Sequence, residues 1–286
     1  MTYEGCTLCP RMCGVNRAAG ETGFCGCPGT ALVAKTMLHR WEEPVLAGSG
    51  GSGAVFFGGC TLGCRFCQNR AISGVPVGIP TDGAGLRAMM EELLRQGAEN
   101  IDLVTPTQYL PTVLSALEQP LPVPVVFNSG GYERVETLRE LEGKIDIYLP
   151  DMKYMDNALA AELSGAGDYA ETAGAAIREM VRQTGPVRFR GEKLIRGTVI
   201  RHLILPGTIE NSLRVLDWIG ETFAPGEVLV SLMRQYTPMP GLEAPYDRRI
   251  TEAEYDAVLS WMYLNELEGF TQEAEAADQA FIPDFT

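Results

Sequence analysis

The sequence predicts an α/β fold in which a mainly parallel sheet is covered by helices and preceded by a cysteine-rich segment. Six apolar runs of strand length alternate with segments of helical spacing, as expected for strands buried between two layers. Six units are too few for a closed eight-stranded barrel, so an open partial barrel and a doubly wound sheet both remain. All eight cysteines fall in the first quarter of the chain.

The predicted elements follow from apolar periodicity and from capping residues. The six strands are 54–59, 100–106, 123–130, 145–153, 199–207 and 227–236. Leu86, Met90 and Leu93 share one face of a helix between the first two strands. We expect Asp82 to cap this helix and Gly97 to end it. Further helices are predicted over 172–185, around 213–223, and after the capping-box sequence TEAE at 251–254.

The chain divides into three predicted regions. Residues 1–53 form a cysteine-rich extension that a metal or cluster is expected to hold together, because its start lacks helical and strand periodicity. The sequence AGSGGSGAV at 47–55 predicts a flexible connector, since no Gly-Lys-Ser/Thr follows it. Residues 54–265 hold the strand and helix units. Residues 266–286 form a tail with the acidic, alanine-rich stretch TQEAEAADQA at 271–280.

Charge and hydropathy narrow the classes of partner. Acidic residues outnumber basic ones 37 to 23, for a net charge of -14, and no stretch concentrates Lys and Arg, so nucleic acid is not an expected partner. The N-terminus lacks a basic and apolar targeting pattern, and no window approaches the roughly 18 apolar residues of a membrane helix. We therefore expect a cytoplasmic protein with no membrane partner.

Polar residues follow most of the predicted strands, where ligands bind in parallel α/β sheets. The candidates are Cys60, Cys64, Cys67, Thr105, Thr107, Asn128, Ser129, Asp151, Lys153, Arg201, Gln235 and Tyr236. Arg201 and His202 are adjacent in an apolar strand, so only one of them can face the inside of the sheet. If Arg201 faces the inside, His202 is expected to be packed or hydrogen-bonded.

Three of these candidates are thiols in the pattern C-x3-C-x2-C, within GGCTLGCRFCQN at 58–69. A structural zinc takes four protein ligands, and an ordinary [4Fe-4S] cubane takes four cysteines. Cys60, Cys64 and Cys67 supply three, which leaves one iron of a cubane open to a non-protein ligand. A zinc site completed by a distant Cys or His is the alternative.

This pattern resembles that of the radical S-adenosylmethionine (SAM) enzymes. The resemblance rests on the three cysteines, on Phe66 directly before Cys67, and on their place after a strand and the pair Gly58-Gly59. It implies a [4Fe-4S] cluster whose open iron binds SAM, and whose electron cleaves SAM to a 5′-deoxyadenosyl radical that abstracts hydrogen from a substrate. It also implies that Gly59 approaches SAM closely and that Phe66 lies near the adenine.

Further segments resemble the pyruvate formate-lyase activating enzymes and their activating-enzyme-like branch. These are FNSGG at 127–131, DMK at 151–153 and VIRHLILPG at 199–207. The resemblance implies a partial (β/α)6 TIM-type barrel, with Asn128, Ser129, Asp151, Lys153 and Arg201 as contacts to SAM or substrate. Where most radical SAM enzymes have Gly-Gly-Glu after the second strand, this chain has VTPT at 104–107. We expect Thr105 or Thr107 to accept a hydrogen bond from the amino group of SAM there.

The N-terminal cysteines form a separate, complete set. Cys6, Cys9, Cys13 and Cys25 have the spacing C-x2-C-x3-C-x11-C, with Cys27 as a substitute for Cys25 and His39 as an outside candidate. Four thiols match either a structural zinc ion or a second iron-sulfur cluster. Both alternatives remain open at this point.

The resemblance implies an oxygen-sensitive, anaerobic oxidoreductase that abstracts hydrogen from a Gly of a partner protein. A low-potential donor such as flavodoxin or ferredoxin would supply the electron. Two alternatives remain: modification of another peptide or small molecule by radical SAM chemistry, and a non-catalytic zinc or iron-sulfur binding module. The fold alone does not decide among them.

Overall fold

A computed structural model describes residues 1–272 and residue 285. The strands are β1 Ala31–His39, β2 Ser52–Phe57, β3 Ile79–Thr81, β4 Ile101–Val104, β5 Val125–Ser129, β6 Ile147–Pro150, β7 Arg188–Arg190, β8 Lys193–Leu203, β9 Val228–Met233 and β10 Gly269–Thr271. The α-helices are α1 Pro44–Ala47, α2 Arg70–Ser73, α3 Gly83–Arg95, α4 Leu110–Ala116, α5 Val135–Arg139, α6 Asn157–Ser164, α7 Tyr169–Thr184, α8 Ile209–Thr222 and α9 Glu252–Leu264. No helix among the described residues is long and apolar enough to cross a membrane.

One sheet organises the fold, with its strands in the order β10-β9-β8-β6-β5-β4-β2-β1-β3 and β7 paired to β8. The six predicted strands are β2, β4, β5, β6, β8 and β9, and they are neighbours joined by parallel pairing. Within the described part of the chain the sheet does not close on itself, because β10 and β3 lie at its two ends. The α/β prediction with an open, partial barrel is confirmed.

Strands at both ends of the sheet were not predicted. β1 pairs antiparallel with β2 and β3 pairs antiparallel with β1, while β10 adds a short parallel strand beside β9. β1 is only half-buried along most of its length, so its apolar pattern is weak. Residues 31–39 of the cysteine-rich extension therefore belong to the sheet. The predicted connector is wrong from Ser52 onward, where the chain is already a fully buried strand.

The predicted helices are confirmed, and so are two of their caps. The Asp82 side chain accepts from Gly85 N at the start of α3, and Gly97 lies just beyond its end with φ +99. Thr251 and Glu254 form the capping box of α9. Most of the predicted acidic tail, from residue 273 on, lies outside the described residues.

The sheet is covered on both faces, and the N-terminal extension provides part of the inner cover. The main core packs the sheet against the long helices. A separate apolar cluster on the other face consists of Val126, Ile147, Leu149, Leu194, Val199 and Leu229, together with Leu46 of α1. The short helix α1 thus lies inside the curve of the partial barrel.

His202 in β8 faces the helix layer. It is fully buried, with Nδ1 2.7 Å from Met152 O and Nε2 2.9 Å from Ser212 Oγ. Because a carbonyl oxygen only accepts, Nδ1 carries the proton and Nε2 accepts from Ser212. Burial lowers the pKa of His202 to about 4, so the imidazole is neutral in the folded protein.

We predict that His202 makes the protein less stable as the pH falls from 6.5 to 4. In this window the unfolded chain binds a proton at His202 and the folded chain does not, which costs about 3 kcal/mol of unfolding free energy by pH 4. The measurement is the difference in unfolding free energy between wild type and His202→Gln from pH 8 to pH 4. This difference should stay constant above pH 6.5 and shrink below it; a constant difference throughout would contradict the prediction.

Candidate functional site

The loop after β2 holds the three predicted cluster thiols. Cys60, Cys64 and Cys67 line one cavity of about 510 Å³. The loop begins with a tight turn, in which Gly59 has φ +80. A Cβ at Gly58 would overlap Val77 O, and one at Gly59 would overlap the Cys27 sulfur. The glycine pair is therefore required by protein packing on both sides of the turn.

Each of the three sulfurs accepts one hydrogen bond. Leu62 N donates to Cys60 Sγ at 3.4 Å. Ser164 Oγ donates to Cys64 Sγ at 3.0 Å, and Ser73 Oγ donates to Cys67 Sγ at 3.3 Å. Donors of this kind stabilise thiolates that ligate a cluster.

The three thiols line their cavity but are not placed to hold a single metal ion together. Among residues 1–272 and 285, no group of three or more His, Cys, Asp or Glu side chains is placed to hold a single metal ion. A cubane needs a different arrangement, because each thiolate binds a separate iron at its own corner. The cavity, the three thiols and their hydrogen bonds together fit a [4Fe-4S] cluster.

A second, larger cavity of about 640 Å³ lies beside the thiol loop. Gln68 and Asn69, which directly follow Cys67, form part of its wall. The carboxyl ends of the parallel strands contribute Phe56, Val104, Asn128, Arg201, Met233 and Gln235. The volume falls within the range of small-molecule and cofactor sites.

Arg201 lines this cavity and is the centre of a buried charged network, whose members Asp151 and Lys153 do not line the cavity. Its Nε donates to Asp151 Oδ1 at 2.9 Å, and its guanidinium also donates to Asn128 Oδ1 at 2.6 Å. Glu42 Oε1 lies 3.7 Å from it, and Lys153 forms a short ion pair with Asp151. Burial alone would raise the pKa of Asp151, but the charges of Arg201 and Lys153 outweigh it and lower that pKa.

Three acidic residues near Arg201 were not predicted. Glu42 and Glu43, between β1 and α1, line the large cavity. Burial raises the pKa of Glu43 to about 7, and Glu43 Oε1 accepts from Ser231 Oγ at 2.8 Å. Asp102 in β4 is fully buried, and burial and the charge of Glu42 raise its pKa well above its usual value. Asp102 could have been identified from the sequence, because a charged residue inside the apolar run IDLV needs a partner, as Arg201 does in its own apolar strand. No comparable pattern marks Glu42 or Glu43.

The predicted threonine and serine contacts lie elsewhere. Thr107 is buried and donates to Glu133 Oε1 at 2.7 Å, and Ser129 Oγ accepts from Gly131 N at 3.3 Å. Burial nevertheless raises the pKa of Glu133 to about 8. Neither Thr107 nor Ser129 lines the large cavity. Their SAM contacts remain predictions.

Thr105 has φ +57, an unusual conformation for a β-branched residue, directly after β4. Gln108, which was not predicted, holds this turn and the glycine turn together. Its Nε2 donates to Thr105 O at 2.8 Å, to Gly58 O at 3.2 Å and to Gly59 O at 3.1 Å. Gln108 is almost fully buried, and these bonds satisfy its amide NH2 group.

Two predicted aromatic residues pack against each other. The rings of Phe66 and Tyr236 are 6.2 Å apart, and both are buried in the main core. Gln235, next to Tyr236, accepts through its backbone oxygen from Gln68 Nε2 at 2.8 Å. This bond ties the chain after Cys67 to the end of β9.

The N-terminal thiols gather around a small cavity of their own. Cys6, Cys9, Cys13 and Cys25 all line it, whereas Cys27 does not. Cys27 is fully buried and its thiol points to Cys25 O and Gly58 O. His39 lines the large cavity, away from the N-terminal thiols.

We predict that Asp151→Asn destabilises the protein by about 3 kcal/mol, because it leaves two buried cations without their carboxylate. The control is Glu210→Gln, which removes an exposed partner 3.8 Å from Arg214 and should change stability by less than about 0.5 kcal/mol. Urea denaturation at pH 7 measures both. Equal effects of the two substitutions would argue against a stabilising role for the buried network.

We predict that Gly59→Ala is more disruptive than Gly143→Ala. The two glycines have φ +80 and +78, but a Cβ at Gly143 has nothing within 4 Å, so it tests backbone strain alone. Gly143→Ala should cost about 1 kcal/mol, and the overlap with Cys27 should add about 1–3 kcal/mol at Gly59. Urea denaturation and bound iron per chain are the measurements; similar losses for both variants would contradict the prediction.

Comparison with known proteins supports the fold. No known family model matches the chain. An uncharacterized protein of Methanocaldococcus jannaschii is 29% identical over 270 residues, which cover 90% of this chain and 74% of that protein. A radical SAM methyltransferase from Sphaerobacter thermophilus superposes with a TM-score of 0.56 at 13% identity, covering 81% of this chain and 69% of the other.

Streptococcus suis SuiB bound to S-adenosylmethionine superposes with a TM-score of 0.53 at 13% identity, over 78% of this chain. The matched region spans only 50% of SuiB. The identity of both proteins to this chain is low, so the similarity concerns the fold. The chain shares its fold with the radical SAM methyltransferase and with SuiB.

Proposed function

We propose that this protein is a radical SAM enzyme. Cys60, Cys64 and Cys67 would hold a [4Fe-4S] cluster, and the adjoining cavity of about 640 Å³ would bind SAM. The observation that carries the proposal is the position of three hydrogen-bonded thiols on one strand-end loop, directly beside a cavity large enough for SAM. Such a cluster supplies the electron that cleaves SAM to a 5′-deoxyadenosyl radical.

The residues of the cavity are suited to a ligand with both cationic and anionic groups. SAM carries an ammonium group, a sulfonium and a carboxylate. The acidic side chains of Glu42 and Glu43 line the cavity, although no acidic residue directly follows β4 in the sequence. We infer that Glu42 accepts the ammonium group and that Arg201 attracts the carboxylate.

Asn128 and the network around Arg201 would position the ligand. The amide of Asn128 donates to Asp102 Oδ2 at 3.2 Å and accepts from Arg201, so its orientation is fixed. The buried ion pair of Lys153 with Asp151 would fix the carboxylate that holds Arg201, and Lys153 is close enough to Cys64 to interact with its charge. These residues bind and orient, while the enclosing walls limit the access of water.

For the substrate, we favour hydrogen abstraction from a Gly Cα of a partner protein. The segments around Asn128, Asp151 and Arg201 that resemble the activating enzymes support this choice. Modification of another peptide is the second candidate, because SuiB, which shares the fold, is known with a precursor peptide bound. A flavodoxin or ferredoxin as electron donor and a cytoplasmic location belong to the same proposal.

We predict that the anaerobically reconstituted protein, reduced with dithionite, converts SAM to 5′-deoxyadenosine. Cys64→Ala should reduce the yield to background, because it removes one of the three ligands. Liquid chromatography of the product measures the yield, and circular dichroism shows that the variant is folded. A yield from wild type no greater than that of folded Cys64→Ala would overturn the enzyme proposal in favour of a binding module.

The hydrogen donor can be tested in the same assay. An anaerobic extract of cells grown on glycine deuterated at Cα is added, and deuterium in the 5′-deoxyadenosine is measured by mass spectrometry. Deuterium in the product supports a Gly donor. Cleavage of SAM without deuterium transfer would exclude a Gly donor in that extract and favour another peptide or small molecule.

A further inference from the structure

We propose that Asp102 carries a proton in the folded protein and donates a hydrogen bond to Glu42, so that Asp102 is a positioning residue for the carboxylate that receives the ammonium group of SAM. The location of the proton is independent of the proposed function, whereas the contact of Glu42 with SAM rests on it. Asp102 itself would not touch SAM, because it does not line the large cavity.

Asp102 lies on the inner face of the barrel. It is the second residue of β4, two positions before Val104, so the two side chains point to the same side of the sheet. Val104 lines the large cavity, whereas Asp102 does not line it and is fully buried. An acid without access to water must obtain its hydrogen bonds from groups of the protein.

The two carboxyl oxygens of Asp102 differ in their surroundings. Asn128 Nδ2 donates to Asp102 Oδ2 at 3.2 Å. Among the residues that the structure describes, no group donates to Asp102 Oδ1, although this atom is buried. The carboxyl group of Glu42 lies close enough to that of Asp102 to form a hydrogen bond with it. Two carboxyl groups can form such a bond only if one of them carries a proton.

A proton on Asp102 completes a ring of contacts in which every donor points the same way. Arg201 donates to Asn128 Oδ1 at 2.6 Å, which leaves the NH2 group of Asn128 for Asp102. Asp102 then donates to Glu42, and Glu42 Oε1 lies 3.7 Å from the guanidinium of Arg201. Asn128 cannot take the opposite orientation, because its NH2 group would then face the N-H groups of Arg201.

Burial and charge assign the proton to Asp102 rather than to Glu42. Burial of Asp102 and the neighbouring Glu42 raise the pKa of Asp102 well above its usual value, and they outweigh the opposite effects of Asn128 and Arg201. Glu42 lines the cavity and lies beside the guanidinium of Arg201, so a carboxylate there has a counter-charge. Glu43, which also interacts with Glu42, has a separate partner, because it accepts from the hydroxyl of a serine in β9 at 2.8 Å.

The charges of the network balance when Asp102 is neutral. Glu42 and Asp151 are then the carboxylates, and Arg201 and Lys153 are the cations that pair with them. In the described part of the chain no Lys or Arg forms an ion pair with Asp102. An ionised Asp102 would therefore place a second carboxylate against Glu42 without a cation of its own, which is unfavourable in a buried site.

The ring would hold the Glu42 carboxylate in place for a cationic ligand. Glu42 lies between β1 and α1, outside the regular elements, so its side chain depends on these contacts for its position. Arg201 and Asp102 hold it from two directions, while it still lines the cavity. A carboxylate can accept about four hydrogen bonds, so acceptor positions remain for the ammonium group of SAM. An acceptor that is already ordered binds more tightly than one that must first be ordered.

The proton is tested first, in the full chain without SAM. The infrared spectrum of the wild type at pH 7 should contain the carbonyl stretch of a protonated carboxyl group that is missing from the spectrum of Asp102→Asn. Glu210→Gln, which changes an exposed acid, should leave this band in place. A difference spectrum of wild type and Asp102→Asn without such a band would show that Asp102 is ionised, and would overturn the proposal.

Binding of SAM to the anaerobically reconstituted protein, measured by equilibrium dialysis, tests the positioning role. Asn keeps one donor and one acceptor in the shape of a protonated Asp, so Asp102→Asn should bind SAM within about threefold of wild type. Asp102→Ala removes both contacts and Glu42→Gln removes the charge, so each should weaken binding about ten- to a hundredfold. Circular dichroism shows which variants are folded. Loss of binding in folded Asp102→Asn, or full binding in Glu42→Gln, would overturn the proposal.

An inorganic cation could bridge two carboxylates in place of the proton, and the same assay separates these cases. Wild type should bind SAM equally well in tetramethylammonium, sodium and potassium buffers. A requirement for sodium or potassium would overturn the proposal. The failure of the proposed function gives a different result: no binding of SAM by wild type, together with the infrared band of Asp102, would refute the SAM site and leave the protonated Asp102 standing.

Discussion

The turn at Gly58-Gly59 is the constraint on which the rest of the site depends. The chain leaves β2 there, and a side chain at either position would overlap Val77 or Cys27. Gln108 donates to both glycine carbonyls and to Thr105 O, so the turn after β2 and the turn after β4 are held as one unit. The position of the three thiols relative to the barrel mouth follows from this contact, because Cys60 is the next residue along the chain. A small local packing requirement thus sets the geometry of a cofactor site.

The inner face of the barrel presents a second constraint, which is electrostatic. Burial of Asp151, Lys153 and Arg201 is favourable only because each charge has opposite partners within hydrogen-bonding distance. Asp102 and Glu43 respond differently: burial raises their pKa values, which favours the neutral forms. The cavity therefore combines fixed ionic groups with carboxyl groups whose charge depends on what is bound. A cationic ligand would favour ionisation of these acids.

The sequence predicts the parallel strands well because their side chains are apolar on both faces, and this pattern needs no knowledge of distant contacts. β1 was missed because most of its residues are only partly buried and Thr36 is exposed. The site was predicted in part. Asn128 and Arg201 line the cavity, and Ser129 faces away, as the alternation of strand residues already implies for neighbours. Glu42 and Gln108 could not be located from the sequence, since Glu42 contacts Arg201 and Gln108 contacts Gly58, both of them distant along the chain.

The N-terminal extension is part of the site as much as the barrel is. A six-stranded barrel leaves its inner face open, and water in that space would weaken every electrostatic contact with a bound ligand. Leu46 covers the apolar half of the inner face, and Glu42 contacts Arg201 in the polar half of that face. On the other side of the thiol loop, Cys27 packs against Gly59 and Arg11 contacts Thr61 O. Because the same segment supports the loop and covers the cavity, displacing it would open the cavity and loosen the thiols together.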